Sequence, residues 1–203
     1  MKPYLFLLPV TLIAACSAPE TVSFETGTCG AVTAVLEAGT ASDPYTSLRG
    51  EAVMLGEREL EDNWTTTTPV FGEACTTAVM RDMFGTDIFM LNCPLYAESS
   101  SFDRDIHEAE ARAVAEHTVG ILTECLGDDW IIKETTEHND YQVYHKYVFE
   151  PASGRPGADE FNFTVDPIYV EMSYTPYMRG RGGASGWQTL IQFQEQRETS
   201  DGN

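Results

Sequence analysis

The chain has 203 residues, 42% hydrophobic and 22% charged, a balance that suits one ordinary domain with a real core and argues against a disordered chain. Twelve basic and 32 acidic residues leave a net charge of −20, which repels nucleic-acid phosphates and anionic headgroups and so argues against nucleic-acid binding. A cationic partner is the pointed reading of that charge; solubility, or life in a salty medium, is the plainer one.

Met1-Lys2-Pro3-Tyr4 is followed by an almost wholly apolar run over 5–15. One basic residue and a short hydrophobic run have the shape of a signal peptide. The run is about half the roughly 20 residues needed to span a bilayer as a helix, and no later stretch is long and apolar enough. It ends in Ile13-Ala14-Ala15-Cys16: an aliphatic residue, two small ones and a cysteine. This resembles the lipobox of bacterial lipoproteins, a likeness confined to the first sixteen or so residues. The resemblance implies cleavage before Cys16, a diacylglyceryl thioether on its thiol, and acylation of the new amino group. Several acyl chains make a durable anchor, at roughly 0.8 kcal/mol per buried methylene. In Gram-negative bacteria, Ser17 in place of Asp implies sorting to the outer membrane, facing the periplasm. The expected organisation is a signal peptide over 1–15, a lipidated tether over 16–24 and a single α+β domain over 25–203. Removing 1–15 deletes Lys2 and no acid, leaving a mature charge of −21.

A first helix is expected over 25–38, ending near Gly39, with Cys29, Val32, Val35 and Leu36 on one stripe. Over 43–62, Tyr45, Leu48, Ala52 and Leu55 fit a helix loosely, and β-branched 64–68 reads as a short strand ended by Pro69. Segments 72–80 and 87–96 read as a hairpin around 81–86. Centring its turn on Phe84 sets Val79 opposite Phe89, Thr77 opposite Leu91 and Cys75 opposite Cys93. Ser99-Ser100-Ser101-Phe102-Asp103 offers helix N-caps, and a second, Ala-rich helix runs to about Leu126, ending at Gly127. Its stripe holds Val114, Thr118, Ile121, Leu122 and Cys125.

Alternation then takes over. Trp130, Ile132 and Glu134 share a strand side, as do Tyr141, Val143, His145, Tyr147 and Phe149. A turn at Glu137-His138-Asn139-Asp140 places Ile132 opposite His145. After a loop at 154–157, a long strand over 161–178 carries Ile168, Val170, Met172 and Tyr174 on one face. Strand 187–193 answers it, with Trp187, Ile191 and Phe193 facing Met178, Tyr174 and Met172; residues from Glu195 are polar and read as frayed. The order α-βββ-α-ββββ predicts an α+β fold: about seven largely antiparallel strands with both helices on one face.

With Cys16 as the lipid site, Cys29, Cys75, Cys93 and Cys125 form an even set in an oxidising compartment. Four cysteines allow three pairings. The hairpin register ranks Cys75–Cys93 first, leaving Cys29–Cys125 to pin the two helices together, both thiols pointing inward. There is no C-x-x-C and no cysteine–histidine cluster to suggest a metal or redox site.

No catalytic residue, cofactor or metal site is identifiable. The Gly180–Gly186 stretch lacks the Gly-Lys-Ser/Thr ending of a phosphate loop and leads into a strand. Trp187 stands where a serine nucleophile elbow needs its last glycine. His107 and His117 lie about 280° apart around their helix, too far to share a metal. His138 sits in a turn, and His145 reads as a hydrogen-bonded core histidine. Asp103, Asp105 and Glu108 resemble a fragment of a calcium site but lack the glycine and later glutamate of an EF-hand loop.

The least ordinary feature is the outward side of the late strands. Gln142, Tyr144 and Lys146 share one strand side; Tyr169, Glu171, Ser173, Thr175 and Tyr177 a second; Gln188, Leu190, Gln192 and Gln194 a third. Tyr144, Tyr169, Tyr177, Gln188 and Gln192 are therefore candidate binding residues, joined by Arg179 and Arg181 as cations able to grip an anionic group. The sequence favours a non-enzymatic envelope lipoprotein that binds a partner. The alternatives are an inhibitor or immunity lipoprotein against a cationic toxin or wall hydrolase, and a hydrolase without a recognisable motif.

Overall fold

The computed structural model describes residues 28–67, 71, 75–98, 104–138, 143–155, 157, 163–175 and 186–199. Cys16, Gln142, Tyr177, Arg179 and Arg181 lie outside them, as do the expected N-caps at 99–103 and the glycine-rich loop.

Among the described residues, two helices, α1 (Thr28–Gly39) and α2 (Arg104–Leu126), each precede four strands. After α1 come β1 (Arg49–Leu55), β2 (Arg58–Thr66), β3 (Thr76–Met83) and β4 (Thr86–Glu98). After α2 come β5 (Trp130–His138), β6 (Val143–Pro151), β7 (Ile168–Thr175) and β8 (Gly186–Glu198). All the strands join one antiparallel sheet in the order β1-β2-β3-β4-β8-β7-β6-β5. Among the described residues the fold is thus α+β with eight strands where about seven were expected.

The missed strand lies in 43–62, read as a loose helix. It holds instead a short 3-10 turn (Thr46–Leu48) and the β1–β2 hairpin. Register breaks between Arg49 and Ala52 and between Ala52 and Met54 destroy the period-two alternation that marks a strand. Gly50 sits in that irregular stretch, where a Cβ would meet Thr65 Oγ1 at 2.8 Å.

The two halves meet along the 13-residue strands β4 and β8, paired from Thr86↔Glu198 to Glu98↔Trp187. Their inner side carries fully buried Leu91, Cys93, Trp187, Ile191 and Phe193, continued on β7 by Ile168, Val170 and Met172. α2 lies across β4, β7 and β8, and α1 packs on α2 and β8. Small residues bring α2 close: Ala111 and Ala115 are buried, and Thr189 Oγ1 donates to the Ala111 carbonyl at 2.9 Å. Arg197 closes the end of α1, donating to the Gly39 carbonyl at 2.9 Å.

The β3–β4 register follows the expected one, with Thr77↔Leu91 and Val79↔Phe89. The two later hairpins differ. Ile132 pairs with Phe149, and His145 with Thr136, because β5 continues through the expected turn to His138. Trp187, Ile191 and Phe193 pair with Tyr174, Val170 and Ile168, so their expected partners Met178, Tyr174 and Met172 are each displaced by four residues. An even displacement preserves which side of the sheet each residue faces. β7 starts at Ile168, well after position 161. Before it, 163–167 runs over the outer side, Val165 N–H donating to Gln196 Oε1 at 3.2 Å and the Pro167 carbonyl accepting from Gln194 N–H at 2.8 Å.

Disulfides join Cys75 to Cys93 across β4 and the start of β3, and Cys29 to Cys125 across the helices. Cys29 is exposed and Cys125 half-buried, correcting the expectation that both point inward. Cys29 lies in the first turn of α1, ahead of Val32 and Val35, which face the core. The bridge joins the first turn of α1 to the last turn of α2.

Candidate functional site

The helix-free side of the sheet gathers the polar residues of β6, β7 and β8 into rows. Antiparallel register sets Tyr144 beside Ser173 and Gln188, Lys146 beside Glu171 and Leu190, and Val148 beside Tyr169 and Gln192. Of the candidate binding residues, the structure brings together Tyr144, Tyr169, Gln188 and Gln192; Tyr177, Arg179 and Arg181 are outside the described residues. Gln188 is exposed and Tyr144 half-buried, whereas Ser173 and Gln192 are sunk into the sheet.

These groups are fixed by one another. Gln188 Nε2 donates to Ser173 Oγ at 3.1 Å, and the Ser173 hydroxyl donates to the Glu171 carboxylate. The Tyr169 hydroxyl donates to Gln192 Oε1, while Lys146 Nζ lies 3.7 Å from the Tyr169 ring centroid. Next to Gln192 on β4, Asn92 Oδ1 is buried without a hydrogen-bond partner among the described residues. An orphaned acceptor of this kind is uncommon in a folded protein.

A string of ion pairs closes one end of this platform. Lys133 and Arg155 flank buried Glu150, with Arg155 Nε 2.8 Å from Oε2. Asp166 is gripped on one oxygen by Arg155 and on the other by Lys146, each at 2.7 Å. Burial pushes Glu150 up, but the Lys133 and Arg155 hydrogen bonds outweigh it and hold the carboxyl below its ordinary range. Glu171 behaves oppositely. Burial raises it, and Lys146 and the Ser173 hydroxyl offset only part of that rise. Burial, then the charges of Glu171, Asp166 and Glu137, push the Tyr144 phenol up to about 12. Tyr169 is raised in the same way, so both phenols remain neutral donors at physiological pH. The platform therefore offers two neutral tyrosines, a serine, two glutamines and a desolvated carboxyl, a set suited to hydrogen-bonded recognition.

The histidines form different arrangements. On the helix side, His145 Nε2 lies 2.7 Å from Glu134 Oε1 and its Nδ1 lies 3.3 Å from Arg112 Nη1; Arg112 also bonds Glu108 at 3.1 Å. A guanidinium only donates, so Nδ1 accepts and Nε2–H donates to Glu134. The Nδ1 lone pair is thereby directed at a guanidinium, which has no proton to give up to it at neutral pH. His107 joins Glu110 and the Tyr96 hydroxyl, which donates to Glu110 at 2.8 Å and ties α2 to β4. Among the described residues, no three His, Cys, Asp or Glu side chains cluster to hold a metal.

Sequence reasoning missed Asp166, Arg155, Lys133 and Glu150 as members of this face. Lys133 and Glu150 stand on the outward sides of β5 and β6, a side legible from alternation, but Arg155 and Asp166 come from a connection whose path no local pattern reveals. No protein-family model, no curated protein and no solved structure matches this chain.

Proposed function

We propose that this chain is an envelope lipoprotein, anchored by lipid on Cys16 and facing the periplasm from the outer membrane, which works by binding a partner rather than by catalysis. The observation that carries the reading is the convergence of Tyr144, Tyr169, Gln188 and Gln192 on one helix-free face of three adjacent strands. Tyrosine supplies contact area at low entropic cost, and the glutamines supply hydrogen bonds in both senses. A charge of −20 favours a cationic envelope protein as the partner class, through faster encounter rather than tighter contact. The engaged nitrogens of His145 weigh against a hydrolytic role.

The anchor and the platform are tested separately. Labelling cells with radioactive palmitate is expected to mark the chain, and Cys16→Ser to abolish the mark; equal labelling of both would reject the anchor. Capture from detergent-solubilised envelopes is expected to recover a partner with the wild-type chain and lose it with Tyr144→Ala/Gln188→Ala. Unchanged recovery with the double variant would reject the platform.

A further inference from the structure

The sheet has two edges, and they are not alike. β1 is broken by two register shifts, which twist an edge away from further pairing. β5 pairs with β6 without interruption from Trp130↔Pro151 to His138↔Val143. Residues 131–137 are all exposed, Ile131 at 44% and Ile132 at 42%. Among the described residues, no strand lies on the other side of β5.

One hydrogen bond fixes which backbone groups are free. Ala152 N–H donates to the Asp129 carbonyl at 2.8 Å, which makes Trp130↔Pro151 a non-hydrogen-bonded pair. The backbone groups of Ile131, Lys133, Thr135 and Glu137 then turn toward β6. Those of Ile132, Glu134 and Thr136 turn outward, a row of donors and acceptors with no partner strand.

Charge says what suits this row. Asp128 and Asp129 precede β5, and Glu137 and Glu134, one oxygen of which accepts from His145, stand on it; its one lysine, Lys133, is engaged by Glu150. With −20 on the whole chain, a second copy would be repelled and a basic segment attracted. We infer that the free edge of β5 receives an extended basic segment of a partner protein as an added strand, with backbone hydrogen bonds to Ile132, Glu134 and Thr136 and basic side chains against Glu134 and Glu137. This site shares no residue with the tyrosine–glutamine platform, so either can fail alone.

An alternating Lys–Val peptide long enough to span 132–136 serves as the probe, read by residue-resolved amide exchange on the full-length chain. Binding is expected to slow exchange at Ile132, Glu134 and Thr136 by about tenfold or more, with the β6-paired odd residues little changed. Thr136→Pro removes one outward N–H and leaves the β6 ladder intact, so it is expected to weaken binding about tenfold without shifting the melting temperature. The same peptide N-methylated at its edge-facing amides needs no protein variant and is expected not to bind. The inference is overturned if the Lys–Val peptide leaves those amides unprotected, if the N-methylated or a Glu–Val peptide binds equally well, or if the amides are protected by self-association of the chain.

Discussion

Glu171 is the residue whose environment speaks most plainly about the platform. It is partly desolvated, and its charge is offset by Lys146 and Ser173, with no close ion pair among the described residues. A carboxyl raised on folding adds stability in full below its unfolded value, near 4.5, and loses it as pH rises through the raised folded value. Glu171→Gln is therefore expected to raise the melting temperature at pH 7, by no more than a few degrees, since 1 kcal/mol is worth about 2–4 °C at this length. The gain should vanish at pH 4; a gain independent of pH would contradict the assignment. Side-chain placement at this scale was partly legible in the sequence. Alternation put Tyr144, Tyr169, Gln188 and Gln192 on outward strand sides, but only the register decides that they are neighbours. The engagement of His145 by Arg112 depends on α2 crossing the sheet, which no local pattern carries.

At the scale of elements, legibility followed burial and regularity. α2 and the β3–β4 hairpin were readable because a proline-free, Ala-rich helix former and the alternation at the start of β3 each leave a period. β1 was not, and only the end of β2 was, within the strand expected over 64–68, since bulges and half-exposure blur theirs. The later hairpins kept their faces and lost their register, because turn position is a weak signal beside alternation. The β3–β4 turn invites a test. Phe84 and Gly85 both have positive φ, 55° and 85°, the geometry of a type I′ hairpin that favours Asn-Gly. Phe84 is 77% exposed, so Phe84→Asn is expected to stabilise the chain by about 0.5–1 kcal/mol in denaturant unfolding, net of its edge contact with Phe163. Destabilisation would show that the aromatic contact outweighs the backbone strain. The Cys29–Cys125 bridge spans 96 residues, and replacing both cysteines with serine is expected to cost roughly 2–5 kcal/mol. A loss below 1 kcal/mol would mean that α1 is held on α2 by packing alone.

Across the whole molecule, two α-ββββ halves share one sheet through β4 and β8. Both helices lie on one side; of the described residues, 163–167 crosses part of the other. The sequence had implied this layout through its order of elements and its two-sided late strands, though it undercounted the strands. The pathway of 163–167 over the outer side was not visible, being a tertiary choice of an irregular connection. The most direct test of recognition through that side is a photo-crosslinker placed at Gln188 in cells, compared with one at Thr123 on the exposed side of α2. A discrete adduct from position 188, absent from 123 and lost on adding Tyr144→Ala, is the expected result. The same adducts from both positions, or one from 188 that survives Tyr144→Ala, would contradict it.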